Sequence, residues 1–176
     1  MAYIGWGKPR LFVKNLTKNG IIRELPNVVE DTFEISTEQG DKLEAKIEGG
    51  TNEDVKYKKN TNTIAFDIRM FKGRKKPFAD KDGVVNDEFE FWMQPEDAAV
   101  PAGLHCAKCR VATELKGSAA DGITYTYTLE PLENGVTDAC QVGTVTVTES
   151  GGSISAITFT EVDEEDDAAE ESSSLA

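Results

Sequence analysis

Thr61-Asn62-Thr63-Ile64-Ala65-Phe66-Asp67-Ile68-Arg69-Met70-Phe71 alternates in character at every step from Ile64 to Met70. A period of two puts Ile64, Phe66, Ile68 and Met70 on one face and Ala65, Asp67 and Arg69 on the other, which predicts a strand with one wet face. Leu43, Ala45 and Ile47 repeat the pattern against Glu44, Lys46 and Glu48. Working outward, strands are expected over residues 10–14, 21–25, 32–36, 42–48, 61–71, 88–93, 105–115, 122–130, 141–149 and 153–162. Between them stand turn dipeptides such as Asn19-Gly20, Gly49-Gly50, Asp121-Gly122 and Gly151-Gly152, several suited to tight hairpins. No long amphipathic helix interrupts the series. The fold class is therefore all-β, a sandwich or barrel of about ten strands.

The 176 residues suffice for one domain with appendages. They divide into an N-terminal arm (1–10), a β-sandwich or barrel domain (11–162) with a long loop at 72–86, and an acidic tail (163–176). The tail is rich in Asp, Glu, Ser and Ala and is expected to be disordered in isolation. Every Lys and Arg lies at or before Lys116, and 13 of the 32 acidic residues lie beyond it, so the last 60 residues carry the whole net charge of −13. Such a polyanionic third would be repelled by nucleic acid and by anionic membranes. The start of the chain lacks the apolar core of a signal peptide and no stretch is apolar enough to span a membrane as a helix, so the chain is expected to stay in the cytoplasm in which it is made.

Three cysteines do not form the even framework of a secreted module. His105, Cys106, Cys109 and Cys140 together offer three sulfurs and one imidazole, a possible tetrahedral zinc set or redox module. In a continuous strand, however, Cys106 and Cys109 would point to opposite faces about 10 Å apart. Structural thiols are the simpler expectation. His105 is the sole histidine, and a cysteine partner on its own strand is poorly placed for nucleophilic catalysis. No Walker loop, dinucleotide fingerprint or EF-hand loop is present. No enzyme activity, cofactor or metal is expected. The basic cluster Lys72, Arg74, Lys75 and Lys76 lacks the interleaved aromatics of a nucleic-acid site and suits an acidic surface on another copy of the chain.

Leu25-Pro26-Asn27-Val28-Val29-Glu30-Asp31, Gly40-Asp41-Lys42-Leu43-Glu44-Ala45-Lys46-Ile47-Glu48-Gly49-Gly50, Val55-Lys56-Tyr57 and Thr63 to Arg69 together resemble tail tube proteins of tailed bacteriophages and prophages, particularly those of Bacteroidetes hosts. The opening Gly5-Trp6-Gly7-Lys8-Pro9-Arg10 is similar too. The resemblance covers roughly the first half and rests on a strand pattern and a glycine turn. It implies a β-sandwich or barrel whose copies join into hexameric rings, stacked as a hollow tube for genome delivery, with other tail proteins as partners and the virion tail as location. DNA would pass through an acidic lumen without specific binding, and no membrane is engaged.

On this expectation Glu44, Glu48 and Asp67 are candidates for the channel or its rim. Trp6 and Phe12 are candidate anchors of an N-terminal arm, or else simply complete the monomer core. Lys72, Arg74, Lys75 and Lys76 are candidate ring-bridging residues. The rival within the same class is a capsid decoration or other head-associated virion protein. The rival from another class is the metal or redox module.

Overall fold

The computed structural model describes residues 5–26, 28–73, 76–78, 84–133 and 139–162. Its regular elements are all strands: β1 (Arg10–Asn15), β2 (Ile22–Glu24), β3 (Glu34–Glu38), β4 (Lys42–Lys46), β5 (Asn52–Tyr57), β6 (Thr61–Arg69), β7 (Val84–Gln94), β8 (Gly103–Ser118), β9 (Gly122–Pro131), β10 (Gln141–Ser150) and β11 (Ser153–Glu161). The all-β expectation holds, with eleven strands. The additional one is β5, whose Asn-Glu-Asp-Val-Lys-Tyr sequence offers only Val55 and Tyr57 as strand formers. It becomes a strand because the Gly49-Gly50 turn returns it alongside β4.

Nine strands form one antiparallel sheet in the order β2-β1-β7-β8-β9-β6-β3, with β10 and β11 branching from β8. The segment 22–38 belongs to both ends of that order. Leu25 N–H donates to Leu11 C=O at 2.8 Å, beside β1; farther on, Val28 bridges Ile68 and Val29 N–H donates to Asp67 C=O at 2.8 Å, on β6. One stretch of chain thus laces the two ends of the order together, and the sheet curls into a barrel whose end strands β2 and β3 do not, among the described residues, pair with each other. The kink this needs falls at Asp31, with φ of +59°. There the Thr32 hydroxyl donates to Val29 C=O at 2.7 Å and accepts from Asp67 N–H at 3.2 Å.

The alternation in β6 does as its sequence predicts: Ile64, Phe66 and Ile68 are buried and point inward. They meet Leu11 and Val13 of β1, Phe89, Phe91 and Met93 of β7, Leu104 and Val111 of β8, and Tyr127 and Leu129 of β9. Phe66 and Phe91 lie 6.3 Å apart by ring centroid although β9 and β8 separate their strands in the sheet. That contact exists because the barrel is small and filled by its side chains. Each such burial contributes about 2 kcal/mol. Among the described residues the barrel interior is filled by these side chains.

A second, smaller core lies outside the barrel wall. Phe12 and Trp92 point outward from β1 and β7, and the β10–β11 hairpin folds over them with Val145, Val147, Ile157 and Phe159. The join is close: a Cβ on Gly103 would lie 2.9 Å from Met93 C=O, and one on Gly143 would lie 2.1 Å from Thr160 C=O. Buried Gln94 ties the layers by donating to Val145 C=O at 3.0 Å.

The loop at 72–86 is shorter than its sequence suggests, since β7 already begins at Val84. Where it is described, it turns inward. Phe78 is wholly buried, edge-on to Phe89 at 5.0 Å and to Tyr127 at 4.8 Å. The Arg23 guanidinium donates to Pro77 C=O beside it. An aromatic plug thus anchors part of a segment whose sequence is otherwise polar and basic.

Candidate assembly surfaces

Among the described residues the β4–β5 hairpin pairs with no other strand and forms a two-stranded sheet of its own. Its register, Lys42↔Tyr57, Leu43↔Lys56, Glu44↔Val55 and Ala45↔Asp54, sets charged residues opposite apolar ones on both faces. Its turn is made by Gly49 and Gly50, at φ of +95° and +83°. At its base, Gly40 N–H donates to Asn60 Oδ1 at 3.0 Å and Lys58 N–H to Asp41 C=O at 2.9 Å, and Lys59 pairs with Glu133. Beyond that base Leu43, Ile47 and Tyr57 are each at least half exposed. A lone two-stranded ribbon is marginal in water, and this one displays apolar side chains together with two unpaired backbone edges.

Ion pairs dress the ribbon. Glu44 lies 2.5 Å from Lys42 Nζ and 3.4 Å from Lys46 Nζ. These ammonium groups, Lys42 foremost, hold the Glu44 carboxyl below its ordinary range. Glu48 is exposed at the tip of the ribbon. Asp67 is elsewhere, on the outer wall of the barrel, half-buried and accepting from the Thr126 hydroxyl at 2.7 Å. The three acids expected together at a channel therefore occupy two separate surfaces within the subunit.

Among the described residues β11 pairs only with β10, which makes it a second open edge. Its residues 153–160 carry no charge and no proline, the devices that commonly blunt an edge against further pairing. β3 likewise pairs on one side alone, with β6.

Trp6 and Phe12 pack within their own chain. Trp6 Nε1 donates to Ala102 C=O at 2.9 Å and its ring meets Phe33 edge-on at 5.2 Å. Glu96 N–H donates to Trp6 C=O at 2.9 Å, so the arm docks on its own barrel from Trp6 onward. Phe12 is fully buried in the second core. Of the basic cluster, Lys72 is exposed and Lys76 sits over the Tyr125 ring at 5.0 Å. Arg74, Lys75 and the acidic tail 163–176 lie outside the described residues.

The four residues of the possible zinc set are split by the barrel wall. Cys106 and Cys109 are buried inside, with Cys140 against the same core. His105 is on the outer side, stacked on Trp92 at 5.7 Å and near Phe159 at 5.0 Å. Its Nε2 lies 2.8 Å from Glu90 Oε1 and its Nδ1 3.3 Å from Gln141 Oε1. Among the described residues no cluster of His, Cys, Asp and Glu is arranged to hold a metal. Sequence reasoning also missed Phe78, although it is the only aromatic residue between Lys72 and Asn86 and follows a proline.

No protein-family model matches the chain, and a search of curated proteins finds no relative.

Proposed function

We propose that the chain is a non-enzymatic virion structural protein, a tail tube subunit that assembles through its own surfaces into stacked rings around a channel for genome delivery. The observation that carries this reading is the projecting β4–β5 ribbon, with Leu43, Ile47 and Tyr57 exposed beyond a well-packed barrel. A monomer gains nothing by holding such a ribbon in water, whereas a neighbouring copy would cover it. The open edges of β3 and β11 offer backbone partners for joining sheets between copies. The acidic balance of the chain favours a lumen along which DNA slides without adhering.

Negative-stain microscopy of the full chain over a concentration series tests the reading, alongside a variant in which residues 42–57 are replaced by a short Gly-Ser turn. Rings or tubes of uniform bore are expected for the parent, and dispersed subunits with an unchanged melting temperature for the variant. Monomers of the parent at every concentration would overturn self-assembly. Discrete trimers that do not stack would favour the head-decoration alternative.

A further inference from the structure

Three sulfurs share the barrel side of β8, and two of them face each other. The ladder between β8 and β10 runs Gly103↔Gly143, Leu104↔Val142 and His105↔Gln141. The next step of that register sets Cys106 opposite Cys140. Directly opposed residues of an antiparallel pair have Cα atoms about 4.5–5.5 Å apart, within the roughly 4.4–6.8 Å that a disulfide spans. The two thiols sense each other: Cys140 raises the Cys106 thiol above its ordinary range, and Cys106 holds the Cys140 thiol below its own. Cys109 is engaged elsewhere, donating to Phe89 C=O at 3.3 Å.

We propose that Cys106 and Cys140 are a cross-strand dithiol that oxidises to a disulfide, fastening the root of the β10–β11 hairpin to the barrel wall and leaving Cys109 free. The place is one where a covalent tie matters. β10 joins the barrel through only three ladder pairs, a junction no longer than that of the short β2 with β1. Cys106 is wholly buried and Cys140 partly exposed, which makes Cys140 the point of entry for an oxidant. The Cys106 thiol beside it favours the Cys140 thiolate, while burial pushes the Cys109 thiol up to about 12 and keeps it protonated.

With a small disulfide such as oxidised glutathione, the Cys140 thiolate attacks one sulfur and expels the first glutathione thiolate. Cys106 then loses its proton, attacks the Cys140 sulfur of the mixed disulfide and expels the second. Two protein thiols give up two electrons and two protons, and oxidised glutathione takes them up as two thiols.

Tryptic cleavage makes the pairing legible. The last four basic residues are Lys81, Lys108, Arg110 and Lys116, so Cys106, Cys109 and Cys140 fall in three separate peptides. The full chain is reduced, desalted, treated with oxidised glutathione, alkylated and digested for mass spectrometry. The expected product joins the peptide ending at Lys108 to the peptide beginning at Gly117, with Cys109 alkylated and the intact chain monomeric. A loop of this length predicts a melting temperature about 10 °C higher in the oxidised form, a rise reversed by dithiothreitol. Cys140→Ser should fold, by circular dichroism, and show no such rise, whereas Cys109→Ser should retain it. Three alkylated cysteines after oxidation, a link through Cys109, or disulfide-linked dimers would each overturn the pairing.

Discussion

Cys106 and Cys109 both point into the barrel although an alternating strand would send them to opposite sides. Cys106 pairs with Phe91 and Cys109 with Phe89, so β8 covers in three steps what β7 covers in two. The extra residue is a β-bulge, and it shifts the side-chain parity by one. His105, just before the bulge, stays outside between Glu90 and Gln141. The imidazole and the thiols therefore cannot close around one ion, and zinc added to the reduced protein should neither bind stoichiometrically nor raise the melting temperature. Isothermal titration settles this: a one-to-one isotherm abolished by Cys109→Ser would refute it.

Gly143 should be intolerant of any side chain. The Cβ of an alanine there would sit 2.1 Å from Thr160 C=O and 2.9 Å from the Phe159 ring, and backbone cannot give way as a flexible side chain can. Gly143→Ala should cost on the order of 2 kcal/mol or more through overpacking. It should also loosen the β10–β11 hairpin from Trp92, which that hairpin covers to 4% exposure. A red-shifted tryptophan emission together with a lowered urea midpoint is the expected pair of signals. An unchanged midpoint would mean the hairpin packs elsewhere.

What could be read in advance follows from where the physics is local. Alternation in Ile64, Phe66 and Ile68 is set by the pleat of one strand, and those residues are buried as expected. The closure of the barrel is not local. It depends on residues 25–29 reaching β1 and β6 at once, and nothing in Leu25-Pro26 and Val28-Val29 announces two partners. β5 was hidden because its polarity is that of a loop, and only its neighbour makes it a strand. The bulge in β8 was invisible for a related reason: His-Cys-Ala-Lys-Cys fits a regular strand, and the extra residue is fixed by the register against β7. Trp6 and Phe12 were recognisable as anchors, but the choice between a partner and the chain's own core is a matter of tertiary geometry.

Phe78 should count as a core residue although it sits in a polar loop. It is edge-on to both Phe89 and Tyr127 and has no exposed surface. Phe78→Ala should lower stability by about 3–5 kcal/mol, the range for deleting a buried aromatic ring. Chemical denaturation measures it directly. A loss below about 0.5 kcal/mol, the usual effect of a surface change, would show the loop to be solvated instead.

Acid should weaken the tie between β1 and β7 at Asp87. Asn15 Nδ2 donates to Asp87 Oδ2 at 2.9 Å and Lys18 Nζ lies 3.4 Å away, so the hydrogen bond and then the ammonium hold this carboxyl below its ordinary 3.8. A carboxyl depressed on folding stabilises the folded state above its unfolded value, and that contribution is lost as pH falls through the folded value. Asp87→Asn should therefore be less stable than the parent at neutral pH, by on the order of 1 kcal/mol. The gap should shrink as pH drops below the ordinary value, where the parent carboxyl is itself protonated. Urea midpoints for both proteins at neutral and acidic pH check the sign, and a gap that widens in acid would contradict it.

The β4–β5 ribbon separates folding from assembly more cleanly than any other part of the chain. Leu43 and Ile47 are about half exposed, so replacing both with Asp removes little buried area and should alter barrel stability by no more than about 0.5 kcal/mol per site. If neighbouring copies cover the ribbon, the same double variant places two uncompensated carboxylates in an apolar contact, which is costly when no partner is supplied. Sedimentation velocity should then show the parent associating with concentration while Leu43→Asp/Ile47→Asp stays monomeric, the two having indistinguishable thermal melts. Equal association in both proteins would remove the ribbon from the interface and leave the β3 and β11 edges as the contacts to dissect. A large fall in the variant's melting temperature would show instead that the ribbon packs on its own barrel, contrary to its isolation in the fold.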